Sequence, residues 1–239
     1  FYVDHIASHV LTLPTGNYAA AISNGTQVID LSSLIAVNPF LLREFKWTCH
    51  DYIEHQVLAA EPDALFIPEG GRCQYAEYGV SLLAVEIETW AMQQGLTELK
   101  VFLPAGTGTT ALFLNQYFVR KQSHIRVLTC AAVGGDEYLA QQFYELNPNA
   151  AEHPQILNVG KKYHFGKLYP EFYTMWQRIC ASGIQFELLY DPLGFMVLEK
   201  YLPQWGTSPV MYIHQGGLLG NETMLPRYLR KFGKSRTTL

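Results

Sequence analysis

The chain has 239 residues, of which 49% are hydrophobic and 16% are charged, a composition typical of one or two compact domains. Its formal net charge is -4 and it has no long basic run, so nucleic acid is not an expected partner, because phosphate contacts need clustered lysine and arginine. The four cysteines are scattered without metal-ligand spacing, which predicts no metal site and a reducing, cytoplasmic location. No apolar stretch is long enough to cross a bilayer, so no membrane association is expected.

The first sixty or so residues differ from the rest of the chain. Helices are predicted over residues 17–24 and 38–58, and a short strand over residues 26–30. This is too little for a complete α/β domain. We therefore interpret residues 1–62 as the remainder of a small α/β domain and residues 63–239 as a large one.

From residue 63 onward, short apolar strands alternate with glycine turns and amphipathic helices. Strands are predicted over residues 64–68, 99–103, 125–130, 184–189 and 210–213. Helices are predicted over residues 78–94, 111–118, 136–146, 171–182, 195–201 and 222–231, the third with Asp136 as its N-cap. This alternation predicts an α/β fold: a mostly parallel, twisted sheet with helices on both faces.

Glycine-containing turns follow several of these strands. They span residues 69–71, 106–110, 191–194 and 214–217. In open parallel sheets, ligands bind at the carboxyl ends of the strands. The four turns are therefore predicted to line one cleft.

The turn at residues 106–110 is the strongest candidate site. Glycines let consecutive N–H groups point inward, the following helix adds positive potential, and threonine hydroxyls supply further donors. We expect five residues to hold a phosphate: Gly106, Thr107, Gly108, Thr109 and Thr110. The alternative is an ordinary strand-to-helix turn capped by threonine.

Three kinds of phosphate site compete for this turn. A Walker-type loop is excluded, because no lysine follows the glycines. A dinucleotide fingerprint is met by Gly106, Gly108 and Ala111, but the next strand ends at residues 128–133 without the carboxylate that would hold a ribose. A lone phosphomonoester needs only the compact turn and is favoured. A dinucleotide-dependent oxidoreductase stays open as an alternative.

Four segments, taken together and in order, resemble a known family. They read Ile-Pro-Glu-Gly-Gly at 67–71, Leu-Pro-Ala-Gly-Thr-Gly-Thr-Thr at 103–110, Leu-Tyr-Asp-Pro at 189–192 and Tyr-Ile-His-Gln-Gly-Gly-Leu-Leu-Gly at 212–220. This pattern is similar to the 1-aminocyclopropane-1-carboxylate deaminase and D-cysteine desulfhydrase family of pyridoxal-phosphate enzymes. These enzymes have fold type II and are related to the tryptophan synthase β subunit. The matching region covers roughly residues 60 to 230.

The resemblance implies a cofactor, a substrate class and site residues. Pyridoxal 5'-phosphate would have its phosphate at residues 106–110 and its ring flanked by Asp191 and His214. The substrate would be a small amino acid, undergoing deamination or desulfhydrase-type β-elimination. Glu69 and Gly70 are our candidates for contact with that substrate.

The family's Schiff-base lysine is not found at a matching place in this chain, so the catalytic residue is unknown. The family carries it in an Asn-Lys segment, followed by a Ser-Asn-His segment, and we expect both upstream of Phe1. Lys161, Lys162 and Lys167 are interpreted as a solvated basic loop. A lysine-free relative that binds a phosphorylated small molecule without chemistry stays open. Exposed apolar surface left by the missing segments would favour a homodimer.

Overall fold

In the computed structural model, residues 1–36 and 48–233 are described. The chain divides into two compact units, Phe1–Phe66 and Ile67–Leu239. The assignment of a small and a large functional domain stays a prediction.

The first unit is built from short elements. Two strands pair in parallel, β1 (Tyr2–Val3) and β2 (Ile29–Asp30). The helices are α1 (Ser8–Thr12), α2 (Gly16–Ser23), α3 (Leu31–Ala36), α4 (Cys49–Tyr52) and α5 (Leu58–Ala60), with a π-helical turn at Ile53–Val57. The predicted strand at residues 26–30 is therefore shorter than expected. The predicted helix at residues 38–58 lies partly outside the described residues, and its described end is helical.

The second unit contains the main sheet. Its strands are β3 (Leu99–Ala105), β4 (Ile125–Ala131), β5 (Gln155–Ile156) and β6 (Val210–Tyr212). They are all parallel, in the order β5-β4-β3-β6. The helices are α6 (Ala76–Gln93), α7 (Thr109–Arg120), α8 (Asp136–Leu146), α9 (Pro170–Cys180), α10 (Asp191–Trp205) and α11 (Asn221–Phe232). The predicted α/β class is confirmed.

Helices cover both faces of this sheet because side chains alternate along its strands. Val101 and Leu103 of β3 pack with Leu114 of α7 and Ile87 of α6. Phe102, between them, faces the other side. It packs there among residues of the remaining helices: Phe172, Leu193, Val197, Met224 and Tyr228. The central strand is thus buried on both faces, as expected of a parallel sheet.

Three local predictions are wrong. Residues 64–68 and 184–189 do not form strands. Asp136 is the first residue of α8 rather than its N-cap, a position that Gly135 occupies. The Asp136 carboxylate instead accepts a hydrogen bond from Asn158 Nδ2 at 2.8 Å, so it is engaged by another segment.

The strand order creates a switch point between β3 and β6. The chain passes from β3 to β4 and β5 on one side, then returns to place β6 on the other side of β3. Loops leaving two such neighbouring strands turn to opposite faces and open a crevice at the carboxyl edge. The turns at residues 106–110 and 214–217 follow β3 and β6 and therefore lie at this edge.

Candidate functional site

The turn between β3 and α7 presents donors to an anion. Helix α7 begins at Thr109, after Gly108 with a φ of 78° in the left-handed region. The first hydrogen bond of the helix runs from the Leu112 N–H to the Gly108 carbonyl at 2.9 Å. The N–H groups of residues 109–111 therefore have no acceptor within the helix. The Oγ1 atoms of Thr107 and Thr109 lie 3.2 Å apart. Free amides, a helix N-terminus and clustered hydroxyls suit a single phosphate.

The glycines of this turn cannot be replaced without displacing neighbours. A Cβ on Gly108 would overlap Phe143 and lie 2.7 Å from Leu139 Cδ1, both on α8. A Cβ on Gly106 would lie 3.1 Å from the Tyr190 hydroxyl. The backbone itself therefore forms the floor of the candidate site, pressed between α8 and Tyr190.

Gly70 brings the turn at residues 69–71 against the phosphate turn. Its φ is 68°, and a Cβ there would overlap Thr107 Oγ1. The neighbouring Glu69 is exposed. Burial raises the pKa of the Tyr190 phenol, and the negative charges of Glu187 and Glu69 add to that effect. Glu69 and Tyr190 thus share one electrostatic environment beside the turn.

Two tethers hold the 69–71 turn in this position. Arg72 forms an ion pair with Glu145 near the end of α8. Gln74 Nε2 donates to the Leu146 carbonyl at 2.8 Å. Helix α8 therefore supports both turns, since it also packs beneath Gly108.

Asp191 begins α10 and is only 2% exposed. One of its carboxylate oxygens accepts the Tyr212 hydroxyl, and the other accepts the Glu187 N–H at 2.9 Å. Burial raises the pKa of Asp191, while the hydrogen bond from Tyr212 opposes that shift. The structure thus fixes Asp191 between the end of β6 and the start of α10.

Glu187 caps the same helix with its side chain. Its carboxylate accepts the N–H groups of Leu189 at 2.6 Å, Asp191 at 2.7 Å and Tyr190. These amides have no acceptor within the helix, which explains the cap. Burial raises the pKa of Glu187 to about 7, although the three N–H donors favour its ionised form.

Close packing joins α10, β3 and the turn after β6. A Cβ on Gly194 would lie 3.1 Å from the Tyr212 hydroxyl and 3.2 Å from Pro104 Cγ. Gln215 Nε2 donates to the Pro104 carbonyl at 2.8 Å. The structure therefore brings all four predicted turns to the carboxyl end of β3.

His214 has both ring nitrogens engaged. Nδ1 accepts the Gly216 N–H at 3.0 Å, which assigns the proton to Nε2, and Nε2 donates to the Gln185 carbonyl at 2.7 Å. The ring also lies 5.1 Å from that of Phe186. The anchored imidazole can offer its face to a ligand, but its two nitrogens are occupied.

The lysines of the loop at residues 161–167 differ in their surroundings. Lys161 Nζ pairs with Glu171 at 2.9 Å and lies 4.8 Å from the centre of the Tyr163 ring. Lys167 lines a narrow crevice together with Leu188 and Leu189, next in the chain to Tyr190. Both lysine side chains are exposed, so neither amine lies in the buried setting that would make it unusually reactive.

Tyr190 is the site residue that sequence reasoning missed. It lies within the Leu-Tyr-Asp-Pro segment, in which only the aspartate was predicted to border the ligand. Its hydroxyl by Gly106 and its ring 5.2 Å from that of Phe165 place it directly at the turn. Gln215 was also missed. Its side-chain amide bonds to the Pro104 carbonyl, which is far away in the sequence, so no local pattern indicates the contact.

Across residues 1–36 and 48–233, no group of three or more histidine, cysteine or carboxylate side chains is arranged to hold a metal. In the same residues, no helix has both the length and the hydropathy needed to span a bilayer.

Comparison with known proteins gives a relationship at the level of structure. No family profile matches the sequence, and no curated protein matches it. Among solved structures, the crystal structure of an ACC deaminase homologue matches with a TM-score of 0.70 and 21% sequence identity. The match covers 90% of this chain and 66% of that one, so this chain spans just under two thirds of its neighbour's length. The two proteins share a fold.

Proposed function

We propose that this chain binds pyridoxal 5'-phosphate and belongs to a deaminase- or desulfhydrase-like protein acting on a small amino acid. The observation that carries the proposal is the convergence of four turns on the carboxyl end of β3, around the donors at residues 106–110. The shared fold with an ACC deaminase homologue supports it. A cytoplasmic location, favoured by the free thiols of Cys73, Cys130 and Cys180, and a homodimeric assembly complete the proposal.

The residues present fit a phosphorylated ring compound. The amides and hydroxyls of Gly106, Thr107, Gly108, Thr109 and Thr110 would hold the phosphate. Asp191 and His214, each fixed by hydrogen bonds, would border the ring. When bound, pyridoxal phosphate supplies an electron sink that stabilises negative charge on an amino acid's α-carbon. Glu69 is exposed at the adjoining turn. Its side chain and the backbone of Gly70 would both contact the substrate.

A non-catalytic binder of a phosphorylated small molecule is the second candidate. The observation in its favour is that Lys161, in the basic loop, is committed to Glu171 and two tyrosine rings. A lysine is needed for the usual chemistry, because it holds the aldehyde and moves the α-proton. Binding and chemistry are therefore separate questions for this chain.

The dinucleotide alternative gains no support from the geometry. Strand β4 ends at Ala131, and the first carboxylate beyond it, that of Asp136, is bonded to Asn158. A ribose acceptor at the end of the second strand is a defining part of that site.

The first experiment separates these functions by their ligands. We expect pyridoxal phosphate to bind, inorganic phosphate to compete, and pyridoxal without phosphate to bind at least about tenfold more weakly. Borohydride followed by mass spectrometry then asks whether the ligand is fixed onto a lysine. Fixation favours the enzyme, whereas phosphate-dependent binding without fixation favours the binder. Thermal protection by a nicotinamide dinucleotide alone would support the oxidoreductase, and absence of all binding would refute all three.

A matched pair of variants tests whether the turn is the site. Gly108→Ala places a Cβ against Phe143 at positive φ, and Gly183→Ala imposes a similar backbone strain with nothing within 4 Å. We expect each to lower the free energy of unfolding by about 1–2 kcal/mol from the left-handed conformation alone. Only Gly108→Ala should also weaken pyridoxal phosphate binding, by about tenfold or more. Equal affinities in the two variants would place the ligand elsewhere.

A further inference from the structure

Two cationic side chains lie next to each other at the amino edge of the main sheet. Lys100 of β3 is in register with Arg126 of β4, and these strands are parallel neighbours. Residues paired in this way point to the same face of the sheet, and their strands lie only ~4.8 Å apart. Like charges held opposite each other on neighbouring strands repel. An anion bound between the two side chains would remove this repulsion.

No carboxylate in residues 1–36 and 48–233 neutralises this pair. Within that part of the chain, neither Lys100 nor Arg126 takes part in an ion pair. Glu98 is close in sequence, but its Oε1 accepts the Ser208 hydroxyl at 2.6 Å. Lys100 Nζ lies 6.0 Å from the centre of the Trp205 ring, and Arg126 is exposed. Two positive charges are thus available to a ligand.

A hollow opens at these two cations. Its volume is about 300 Å³, and it is lined by residues 97–100 together with His124 and Arg126. This volume is at the lower end of the range for small-ligand sites. The imidazole of His124 and the hydroxyl of Thr97 add polar groups to the ammonium and the guanidinium. The hollow therefore combines enough space for a small ligand with the donors that an oxyanion needs.

We propose that this hollow binds a phosphate dianion, either free or as the monoester of a small hydroxylated metabolite. The Arg126 guanidinium can donate two parallel hydrogen bonds to phosphate oxygens, and the Lys100 ammonium adds a compact positive charge. Glu98 Oε2, the oxygen that is not bonded to Ser208, can accept a hydroxyl of the group that carries the phosphate. Glu98 would thereby favour a hydroxylated monoester.

This site is separate from the turn at residues 106–110. Lys100 and Gly106 lie at opposite ends of β3, six residues apart in an extended strand, which corresponds to roughly 20 Å. The two sites have no residue in common. The proposal therefore does not depend on the binding of pyridoxal phosphate, and each site can be tested while the other serves as an internal reference.

Amide NMR of the full chain tests the site during a titration with inorganic phosphate, with the ionic strength kept constant by chloride. We expect the signals of residues 97–100 and 124–126 to shift and to saturate with a Kd on the order of 1 mM. Any binding at residues 106–110 gives its own set of shifts. Absence of shifts at the amino edge, or the same shifts with chloride alone, would overturn the proposal.

A matched pair of charge-removing variants tests the role of Arg126. Arg126→Gln should weaken phosphate binding at the amino edge by about tenfold or more and leave the shifts at residues 106–110 unchanged. Arg230→Gln is the control, because it removes an exposed positive charge from α11. It should change neither set of shifts. Since Arg126 is exposed, the rest of the amide spectrum should show that the variant is folded, and equal affinities in the two variants would refute the site.

Two further ligands identify the source of the phosphate. Glycerol 3-phosphate should bind about threefold or more tightly than inorganic phosphate if the natural ligand is a hydroxylated monoester, and Glu98→Ala should abolish that difference. Equal binding of the two would assign the site to free phosphate. Succinate, a dicarboxylate, should bind at least about fivefold more weakly than either. Tighter binding of succinate would mean a carboxylate site and would overturn the proposal.

Discussion

Glu187 shows how one side chain can serve the backbone and respond to pH. It is 4% exposed, and its carboxylate lies at the start of α10 among three amide donors. The loss of hydration on burial outweighs these donors and raises its pKa from 4.5 to about 7. The neighbouring Asp191 has a pKa raised for the same reason.

The raised pKa of Glu187 predicts a pH dependence of stability. In the unfolded chain the group ionises near pH 4.5, whereas in the folded protein it keeps its proton until about pH 7. The stabilisation is therefore fully present below pH 4.5 and is lost as the pH rises through 7, amounting to about 3 kcal/mol. Urea unfolding at intervals from pH 4.5 to 8 measures it, and Glu187→Gln should flatten the slope.

The matched control for this prediction is Glu199→Gln, which removes an exposed carboxylate of α10 that pairs with Arg178. Its slope should follow that of the native protein. The absolute stability of Glu187→Gln is expected to fall as well, because an amide has only one acceptor oxygen for the three donors. A slope unchanged by Glu187→Gln would contradict the assigned pKa.

Helix α8 supports the candidate site as a whole, although none of its residues was predicted to belong to the site. It packs beneath Gly108 and holds the 69–71 turn through the Arg72–Glu145 ion pair. Arg72→Gln should weaken pyridoxal phosphate binding by about threefold to tenfold, because Gly70 is no longer held against Thr107. The free energy of unfolding should change by less than about 1 kcal/mol, as is usual for exposed ion pairs.

The control for α8 is Arg178→Gln, which breaks the exposed Arg178–Glu199 pair. It should change neither ligand affinity nor stability appreciably. A titration by absorbance and a urea curve on the same samples separate the two effects. Affinity unchanged in Arg72→Gln would show that the 69–71 turn keeps its place without the tether.

The structure shows why some helices and strands can be predicted from the sequence and others cannot. Helix α8 was predicted to within one residue of its observed start and with its observed end, because its apolar spacing and the preceding glycines are local signals. Residues 184–189 read as a strand, yet their backbone groups bond to side chains instead of a neighbouring strand. The Phe186 carbonyl accepts Trp176 Nε1 at 2.8 Å, and the Leu188 N–H donates to Asn221 Oδ1 at 3.0 Å. Contacts of this kind do not change the local spacing of apolar residues, so they cannot be predicted from it.

For the whole molecule, alternation of strands and helices was enough to predict the class and the parallel sheet. It was also enough to predict that the turns meet at one edge, because parallel strands share their carboxyl end. The order β5-β4-β3-β6 was not predictable in this way. It depends on which side of β3 the last strand joins. In the structure Phe102 of β3 and Tyr212 of β6 share one core with the helices over them, a long-range contact that no local pattern indicates.

The central position of β3 makes its buried side chains important for the stability of the second unit. Leu103 is 1% exposed and packs in the core formed with α6 and α7. Leu103→Ala should lower the free energy of unfolding by about 2–5 kcal/mol, because it removes buried methyl groups and leaves a cavity. Leu202→Ala, at an exposed position of α10, is the matched control and should cost less than about 1 kcal/mol. Because the phosphate turn begins three residues after Leu103, the cavity should also loosen the site. Pyridoxal phosphate should then raise the midpoint of Leu103→Ala unfolding less than it raises that of the native chain. Equal ligand-induced shifts would mean that the turn is held by α8 and Tyr190 alone.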